Sequence, residues 1–219
     1  MRVGVISDVH GNRIALESVL ADMPAVDALV CAGDIVGYNP WHGECVDTLR
    51  DHGVTTVMGN HDRAVVRGTG FGGNSMADAG VRHARETLTD DQLAWLSDRP
   101  ETQTVFEGRV RLAHGHPDHP DRYTYPTSFS PRLLGDEDVL VLGHTHIQGH
   151  RTFDEGVVMN PGSVGQPRDG DPRAAYSTLD LDSLSVTEHR VAYDIERVRD
   201  AVLAAGLPRQ IGDRLRQGR

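Results

Sequence analysis

Apolar and polar positions along this chain follow two different periods. Short apolar runs carry the strand signal, in "RVGVIS" (2–7), "DALVCAG" (27–33) and "VTTVMG" (54–59). Between them the apolar residues recur at helical spacing. Ile14, Leu16, Val19 and Leu20 fall near one face of "NRIALESVLADM", and Trp41, Cys45, Val46 and Leu49 do the same in "WHGECVDTLRDH". Strand, helix, strand, helix, strand predicts a parallel sheet with crossover helices. A glycine-rich loop, "GTGFGG", occupies 68–73. Two helices are predicted after it, over Asn74–Thr87 and over Asp90–Asp98 with Thr89 as cap. Beyond Pro100 strands dominate: Thr102–Glu107, Arg109–Ala113, Val139–Leu142, Gly156–Met159, Ala174–Asp180 and Ser185–Ala192. "DIERVRDAVLAAG" reads as a helix ended by Gly206. Residues 115–131, rich in Pro, His and Asp, read as loop. Two packed sheets with helices outside satisfy the whole pattern.

Composition bounds the picture. A chain of 219 residues, 38% of them hydrophobic, supplies one core. No apolar run approaches the ~18–20 residues of a membrane span. The start shows no basic segment followed by a long apolar stretch, so no signal peptide is expected. Cys31 and Cys45 make no disulfide framework, and the expected location is cytoplasmic. The net charge is -10, and all 22 basic residues are Arg. This is the composition of a salt-adapted microbe or of a high-GC genome. It argues against nucleic-acid backbones as partners. The locally basic end, "LPRQIGDRLRQGR", is expected to fray. The expected organisation is one domain over 1–205 and a basic tail over 206–219.

The informative polar residues recur just after apolar strands. "VISDVH" gives Asp8 and His10, "VCAGD" gives Asp34, and "VMGNHD" gives Asn60, His61 and Asp62. "RLAHGH" gives His114 and His116, and "VLGHTH" gives His144 and His146. Ligands of open α/β sheets bind outside the carboxyl ends of the strands. Residues i and i+2 of an extended segment face one side, so Asp8 with His10, and His144 with His146, can converge. Carboxylate, imidazole and amide oxygen form a mixed N/O donor set that suits Mn, Fe, Zn, Co or Ni. Gly33, Gly59 and Gly143 precede several of these residues and permit close backbone approach.

In these residues the chain resembles the calcineurin-like metallophosphoesterase superfamily. The pattern is Asp8-Val9-His10, Gly33-Asp34, Gly59-Asn60-His61-Asp62, His114 and Gly143-His144-Thr145-His146. "SDVHGNRIALESVL", "GDIVGYNPWHGECVD", "LAWL" and "MNPGSVGQPRD" extend the likeness to the small bacterial and archaeal phosphodiesterase-like, or diadenosine-tetraphosphatase-like, branch. The resemblance implies an α/β fold, an αββα four-layer sandwich of two mixed sheets with flanking helices and a small helical cap over 68–98. It implies two divalent cations, Mn first, with Fe, Zn, Ni or Co as alternatives. Asp8, His10, Asp34 and His146 would hold the first cation. Asp34, Asn60, His114 and His144 would hold the second, with Asp34 bridging. His61 would be the catalytic imidazole. The implied reaction is hydrolysis of a phosphodiester in a small or nucleotide-like substrate, by a hydroxide shared between the cations. Monoester or dinucleoside-polyphosphate hydrolysis, and a non-catalytic scaffold like the retromer subunit of this fold, are the alternatives. The expected partner is a small phosphoester; a homo-oligomer is compatible with the sequence, whereas a membrane and nucleic acid are not expected.

The chain departs from the protein-phosphatase branch after Gly33-Asp34, where Ile35-Val36-Gly37-Tyr38 replace the second Asp and the Arg. Asn12, Tyr38, Asn39 and Arg168 are candidates to supply the missing substrate contacts. Asp62 is expected to cap the helix after it and so fix the loop carrying His61. Phe71 and Asn74 of the cap are candidates to meet the leaving group, with core packing as the alternative. His116 could share the face of His114, but the family pattern gives the metal role to His114. His42, His52, His83, His119, His150 and His189 read as solvent or loop histidines.

Overall fold

The expected alternation forms, and the computed structural model describes residues 1–219. β1 (Arg2–Ile6), α1 (Arg13–Asp22), β2 (Ala28–Cys31), α2 (His42–Asp51) and β3 (Thr55–Thr56) make the parallel unit. Then come α3 (Asn60–Arg67), α4 (Ser75–Thr87) and α5 (Asp90–Ser97). β4 (Thr102–Val105), β5 (Val110–Ala113), β6 (Val139–Val141), β7 (Gly149–Phe153) and β8 (Gly156–Asn160) follow. β9 (Ala174–Asp180), β10 (Ser185–Val191), α6 (Ile195–Ala204) and α7 (Arg209–Asp213) complete the chain. One sheet has the order β10-β9-β1-β2-β3 and the other β4-β5-β6-β8-β7. In the second sheet β5, β6 and β8 run parallel, flanked by antiparallel β4 and β7. The carboxyl ends of β1, β2, β5 and β6 lead into the polar clusters.

The alternation within each strand sorts side chains between layers. Val3 and Val5 of β1, with Val30 and Val57, meet Val110, Leu112, Val139, Val141, Val157 and Met159 of the opposite sheet. Ile6 and Cys31 point the other way, onto Ala15, Leu16 and Val19 of α1 and Cys45, Val46 and Leu49 of α2. The outer face of the second sheet buries Leu140, Leu142 and Val158 under Phe129, Leu133 and Leu134, a segment containing two 3₁₀ turns. The result is the expected sandwich of two mixed sheets with flanking helices. No helix is long and apolar enough to cross a membrane.

Local rules explain the helix ends. Asn12 caps α1 by accepting from the Ala15 N–H, and Asn74 caps α4 through the Ala77 N–H. Thr89 and Gln92 form a reciprocal capping box on α5. Residues 68–98 are docked onto the core: Val81, Ala84, Leu88 and Leu96 join the cluster that holds α1 and α2. A Cβ at Gly80 would lie 2.2 Å from the Tyr38 backbone nitrogen, so α4 rests directly on the loop after β2.

Three expectations are corrected. The basic end does not fray. It forms α7 and a 3₁₀ turn (Arg214–Gln217), with Ile211 and Leu215 fully buried beside Val198 and Val202 of α6. Its charge is locally matched, since Asp213 pairs with Arg199 and Arg209, and Arg216 pairs with Glu196. The capping role of Asp62 holds, exercised from the third residue of α3, where its carboxylate accepts from the Gly59 N–H. β7 escaped the sequence pattern because its middle three residues are all exposed, leaving no apolar alternation to read. His42 is not a solvent histidine; it is fully buried at the start of α2 and accepts from the Gly37 N–H.

Candidate metal centre

Five of the seven proposed ligands stand in the left-handed region: Asp8 (φ 54°), His10 (49°), Asp34 (56°), His144 (66°) and His146 (59°). Non-glycine residues there cost about 1 kcal/mol or more each and persist only where the surroundings fix them. Here the fixing is by hydrogen bonds between loops. The Asp8 N–H donates to Gly33 O (2.9 Å) and the His10 N–H to Asp34 O (3.0 Å). The strain therefore aims side chains from β1, β2 and β6 at one point. Two glycines make the approach: a Cβ at Gly59 would lie 2.0 Å from Asp34 Oδ1, and one at Gly143 would lie 2.2 Å from Ser7 Oγ.

Three histidines are orientated alike. His10 Nδ1 lies 3.2 Å from Val36 O, His114 Nδ1 2.8 Å from Ala32 O, and His146 Nδ1 2.6 Å from Gln166 O. A carbonyl only accepts, so each Nδ1 carries a proton and Nε2 is the atom each ring turns into the cluster. His10 Nε2 and His146 Nε2 face each other at 3.1 Å. His146 Nε2 is 3.2 Å from Asp8 Oδ1, and His10 Nε2 is 3.7 Å from both Asp8 Oδ1 and Asp34 Oδ2. His114 Nε2 is 3.2 Å from Asp34 Oδ2 and 3.0 Å from Asn60 Oδ1. Oδ2 of Asp34 thus stands between the two halves of the cluster.

Lone pairs and carboxylates packed this closely repel unless a cation sits among them. Asp8 shows the consequence. Its Oδ2 accepts from Ser7 Oγ (2.7 Å) and the His144 N–H (3.1 Å), whereas its buried Oδ1 has no hydrogen-bond partner. His144 Nε2 is likewise buried and unpartnered. Ligand atoms of Asp8, His10 and His146 lie within 4.8 Å of one another, as do those of Asp34, His114 and His144. The carboxylates favour positive charge at His114, whereas burial disfavours it on His10, His144 and His146. His114 is held up at about 9: burial opposes its charge, but Asp34, then Asp8 and the Ala32 carbonyl outweigh it. Burial pushes Asp8 up, but His146 and His114 prevail and hold its carboxyl below the usual range. His144 is pushed down to about 4, by burial first and then by His114. The donor set, its spacing and its unpartnered atoms fit divalent cations.

Asp62 ties the site together. Its carboxylate accepts four backbone N–H bonds, from Asp34 (2.8 Å), Ile35 (2.9 Å), Val36 (3.1 Å) and Gly59 (3.0 Å). The His61 N–H in turn donates to Asp34 Oδ1 (2.8 Å). The loop after β2 and the start of α3 are thereby locked as one body, which places Asn60 and His61 beside Asp34. The His61 ring sits among His10 (4.8 Å between ring centres), Tyr38 (4.7 Å) and Phe71 (4.5 Å). No side chain supports its buried Nδ1. A ligand atom of His61 also falls within 4.8 Å of those of His10 and Asp34.

The substrate candidates divide. Tyr38 and Arg168 meet: Arg168 Nη2 donates to Tyr38 Oη (3.3 Å), and Tyr38 packs edge-on against His10. Asn12 and Asn39 are fully buried and turned to the scaffold. Asn12 caps α1 and donates to Gly165 O, while Asn39 donates to His10 O and steadies that loop. Phe71 reaches the site, whereas Asn74 is exposed and spent on its cap. His116 is not part of the cluster; it accepts from the Asp118 N–H and lies against His119. Tyr123 was missed. It stacks on His144 with 4.1 Å between ring centres, yet comes from the loop 115–131, where no periodicity signals it. Arg63 of α3 and Asp121 of the same loop, which pair with each other, were missed as well. With Arg67, Thr69, Gly70, Phe71, Asn60 and His144 they line a cavity of about 380 Å³.

A two-sheet α/β sandwich with carboxylates and imidazoles gathered at its strand ends is the build of a metal-dependent hydrolase. Comparison with known proteins makes the class specific. The calcineurin-like phosphoesterase superfamily domain matches residues 1–184, and the chain belongs to that superfamily. It is, accordingly, a metal-dependent phosphoric ester hydrolase. It is similar to an uncharacterised protein of Methanocaldococcus jannaschii, 31% identical over 99% of this chain and 98% of that one. The phosphodiesterase YfcE of Escherichia coli is 31% identical over 85% of this chain and 91% of its own. The crystal structure of a metallophosphoesterase from Sphaerobacter thermophilus superposes with a TM-score of 0.88 at 34% identity, covering 100% of this chain and 99% of that one.

Proposed function

We propose that this chain hydrolyses phosphodiester bonds of a small or nucleotide-like substrate, using two divalent cations. The observation that carries the reading is the convergence of three Nε2 atoms, each ring fixed by a carbonyl at Nδ1, on two carboxylates. Asp8, His10, Asp34 and His146 would hold one cation; Asp34, Asn60, His114 and His144 would hold the other. The mixed N/O set suits Mn, Fe, Zn, Co or Ni, and the family resemblance puts Mn first. Bound there, such a pair supplies a nucleophile at neutral pH and neutralises charge on the phosphoryl oxygens. His61 acts on the leaving oxygen, by giving it a proton or stabilising its charge. Its surroundings support this: the ring is 95% buried yet abuts the cavity wall at Phe71. That cavity has room beside His144 for the organic group of a phosphoester.

The test is turnover after complete metal removal and add-back of Mn, Ni, Co, Zn or Mg. Bis-p-nitrophenyl phosphate is compared with p-nitrophenyl phosphate. The reading expects Mn-dependent hydrolysis, faster on the diester, and loss of most activity with metal retained in His61→Ala. No turnover with any metal would end it, and faster monoester turnover would end the diester preference.

A further inference from the structure

Four of the seven proposed ligands are imidazoles, and three of these are held in one way. A main-chain carbonyl meets Nδ1 of His10, His114 and His146 and fixes each ring plane. His144 is the exception. Its main-chain N–H donates to Asp8 Oδ2 (3.1 Å), but neither ring nitrogen is hydrogen-bonded, and Nε2 is buried without a partner. A metal-ligating imidazole ordinarily gives its second nitrogen to a carbonyl, a carboxylate or water, which sets its orientation. His144 has an aromatic face in that role instead. Tyr123 stacks on it, with 4.1 Å between ring centres and 28° between planes. His114, its neighbour in the same half of the cluster, is inclined to it by 60° at 4.9 Å and offers no parallel face.

Tyr123 is not a core residue. It is 51% exposed and belongs to none of the apolar clusters that build the fold. Its place is fixed nevertheless. Tyr125 lies nearly parallel to it, at 6.0 Å and 16°. The loop folds back on itself: the His119 N–H donates to His116 O (3.2 Å) and the Arg122 N–H to His119 O (2.9 Å). A Cβ at Gly115 would lie 2.3 Å from Pro120 O, so the turn is tight. Asp121, two residues before Tyr123, pairs with Arg63 of α3, the helix that begins with the ligand Asn60. A braced loop therefore delivers the ring to His144. A parallel ring face resists rotation of the imidazole about its Cβ–Cγ bond, the movement that would turn a ligand nitrogen away. An imidazole bound to a cation also loses electron density, and the electron-rich phenol face then attracts it more strongly. The contact is thus stronger in the metal-bound state, which is what a contribution to affinity requires.

We infer that Tyr123 is a positioning residue of the metal centre: by stacking on His144 it holds the one ligand imidazole that no carbonyl orientates. It thereby sets the affinity of the half formed with Asn60 and His114 for its cation. The half formed by Asp8, His10 and His146 has its own carbonyl supports and does not depend on the stack. This rests on the two-cation reading above and deepens it.

The test is calorimetric titration of the metal-free full chain with Mn, alongside Tyr123→Ala and Tyr123→Phe. Tyr123→Ala is expected to weaken one of two bound Mn ions by about tenfold or more and to leave the other within about twofold. Tyr123→Phe, which keeps the ring and drops the hydroxyl, is expected to bind both ions as the unaltered chain does. Thermal melting of the metal-free variants confirms that each is folded. Unchanged affinities in folded Tyr123→Ala would overturn the inference while leaving the two-cation reading intact. So would an equal weakening of both ions, or a Tyr123→Phe variant as weak as Tyr123→Ala. An unaltered chain that binds fewer than two Mn ions would sink both.

Discussion

Asp62 offers a sharp test of how the centre is assembled. It touches no proposed ligand's side chain, yet its two oxygens each accept two backbone N–H bonds. One oxygen serves Asp34 and Gly59, the other Ile35 and Val36. Asp62→Asn keeps the shape and replaces one acceptor with an NH₂ group, so two donors lose their partner and meet another donor. Hydrogen bonds to a charged group contribute about 1.5 kcal/mol or more each, so the loss is about 3 kcal/mol. For a chain of this size that lowers Tm by about 6–12 °C. The loop carrying Asp34 and the helix carrying Asn60 would also lose their common anchor, and a fall of about tenfold or more in Mn affinity is expected. Denaturant unfolding of the metal-free protein gives the first quantity, and Mn titration by calorimetry gives the second. A stability loss below about 1 kcal/mol with unchanged Mn affinity would refute the reasoning.

Two further outcomes follow from the same geometry. Gly143→Ala places a Cβ 2.2 Å from Ser7 Oγ and 3.0 Å from Asp8 Oδ2, so Ser7 Oγ must shift and its hydrogen bond to the Asp8 carboxylate is disturbed. It is expected to cost about 1–3 kcal/mol and to weaken Mn binding; an unchanged melting curve and Mn affinity would count against that account. Burial, aided by His83 and His61, holds His42 down at about 3 from an ordinary 6.5. The unfolded chain therefore takes up a proton that the folded chain refuses, and stability falls with acid by up to about 1.4 kcal/mol per pH unit below about 6.5. His42→Asn keeps an acceptor for Gly37 and removes this titration. Its metal-free unfolding free energy is expected to fall less steeply between about pH 6.5 and 4, and an equal slope would contradict the assignment.

The cluster of ligand candidates was legible because each member follows an apolar strand, and strand ends share a rim. What the sequence could not express is the backbone. Five ligands in the left-handed region break the simple i, i+2 rule that brought His144 and His146 together on paper, although the residues do converge. The carbonyls of Ala32, Val36 and Gln166, which set the histidine tautomers, have no side-chain signature. Asp62 does cap α3, but three of its four partners lie 26 to 28 residues earlier, where no local pattern points to them. Asn12 and Asn39 looked available because polar residues beside a site usually are; close packing has given both to the scaffold. The basic end looked frayed because its arginines conceal the i, i+4 pair Ile211 and Leu215. Charge pattern alone hid a folded segment.

The central claim is that this cluster holds two cations. A crystal of the Mn-soaked protein, measured for anomalous scattering at the Mn edge, addresses it most directly. The account predicts two peaks: one among Asp8, His10 and His146, the other among Asn60, His114 and His144, with Asp34 touching both. A single peak, or none within the cluster at saturating Mn, would contradict it.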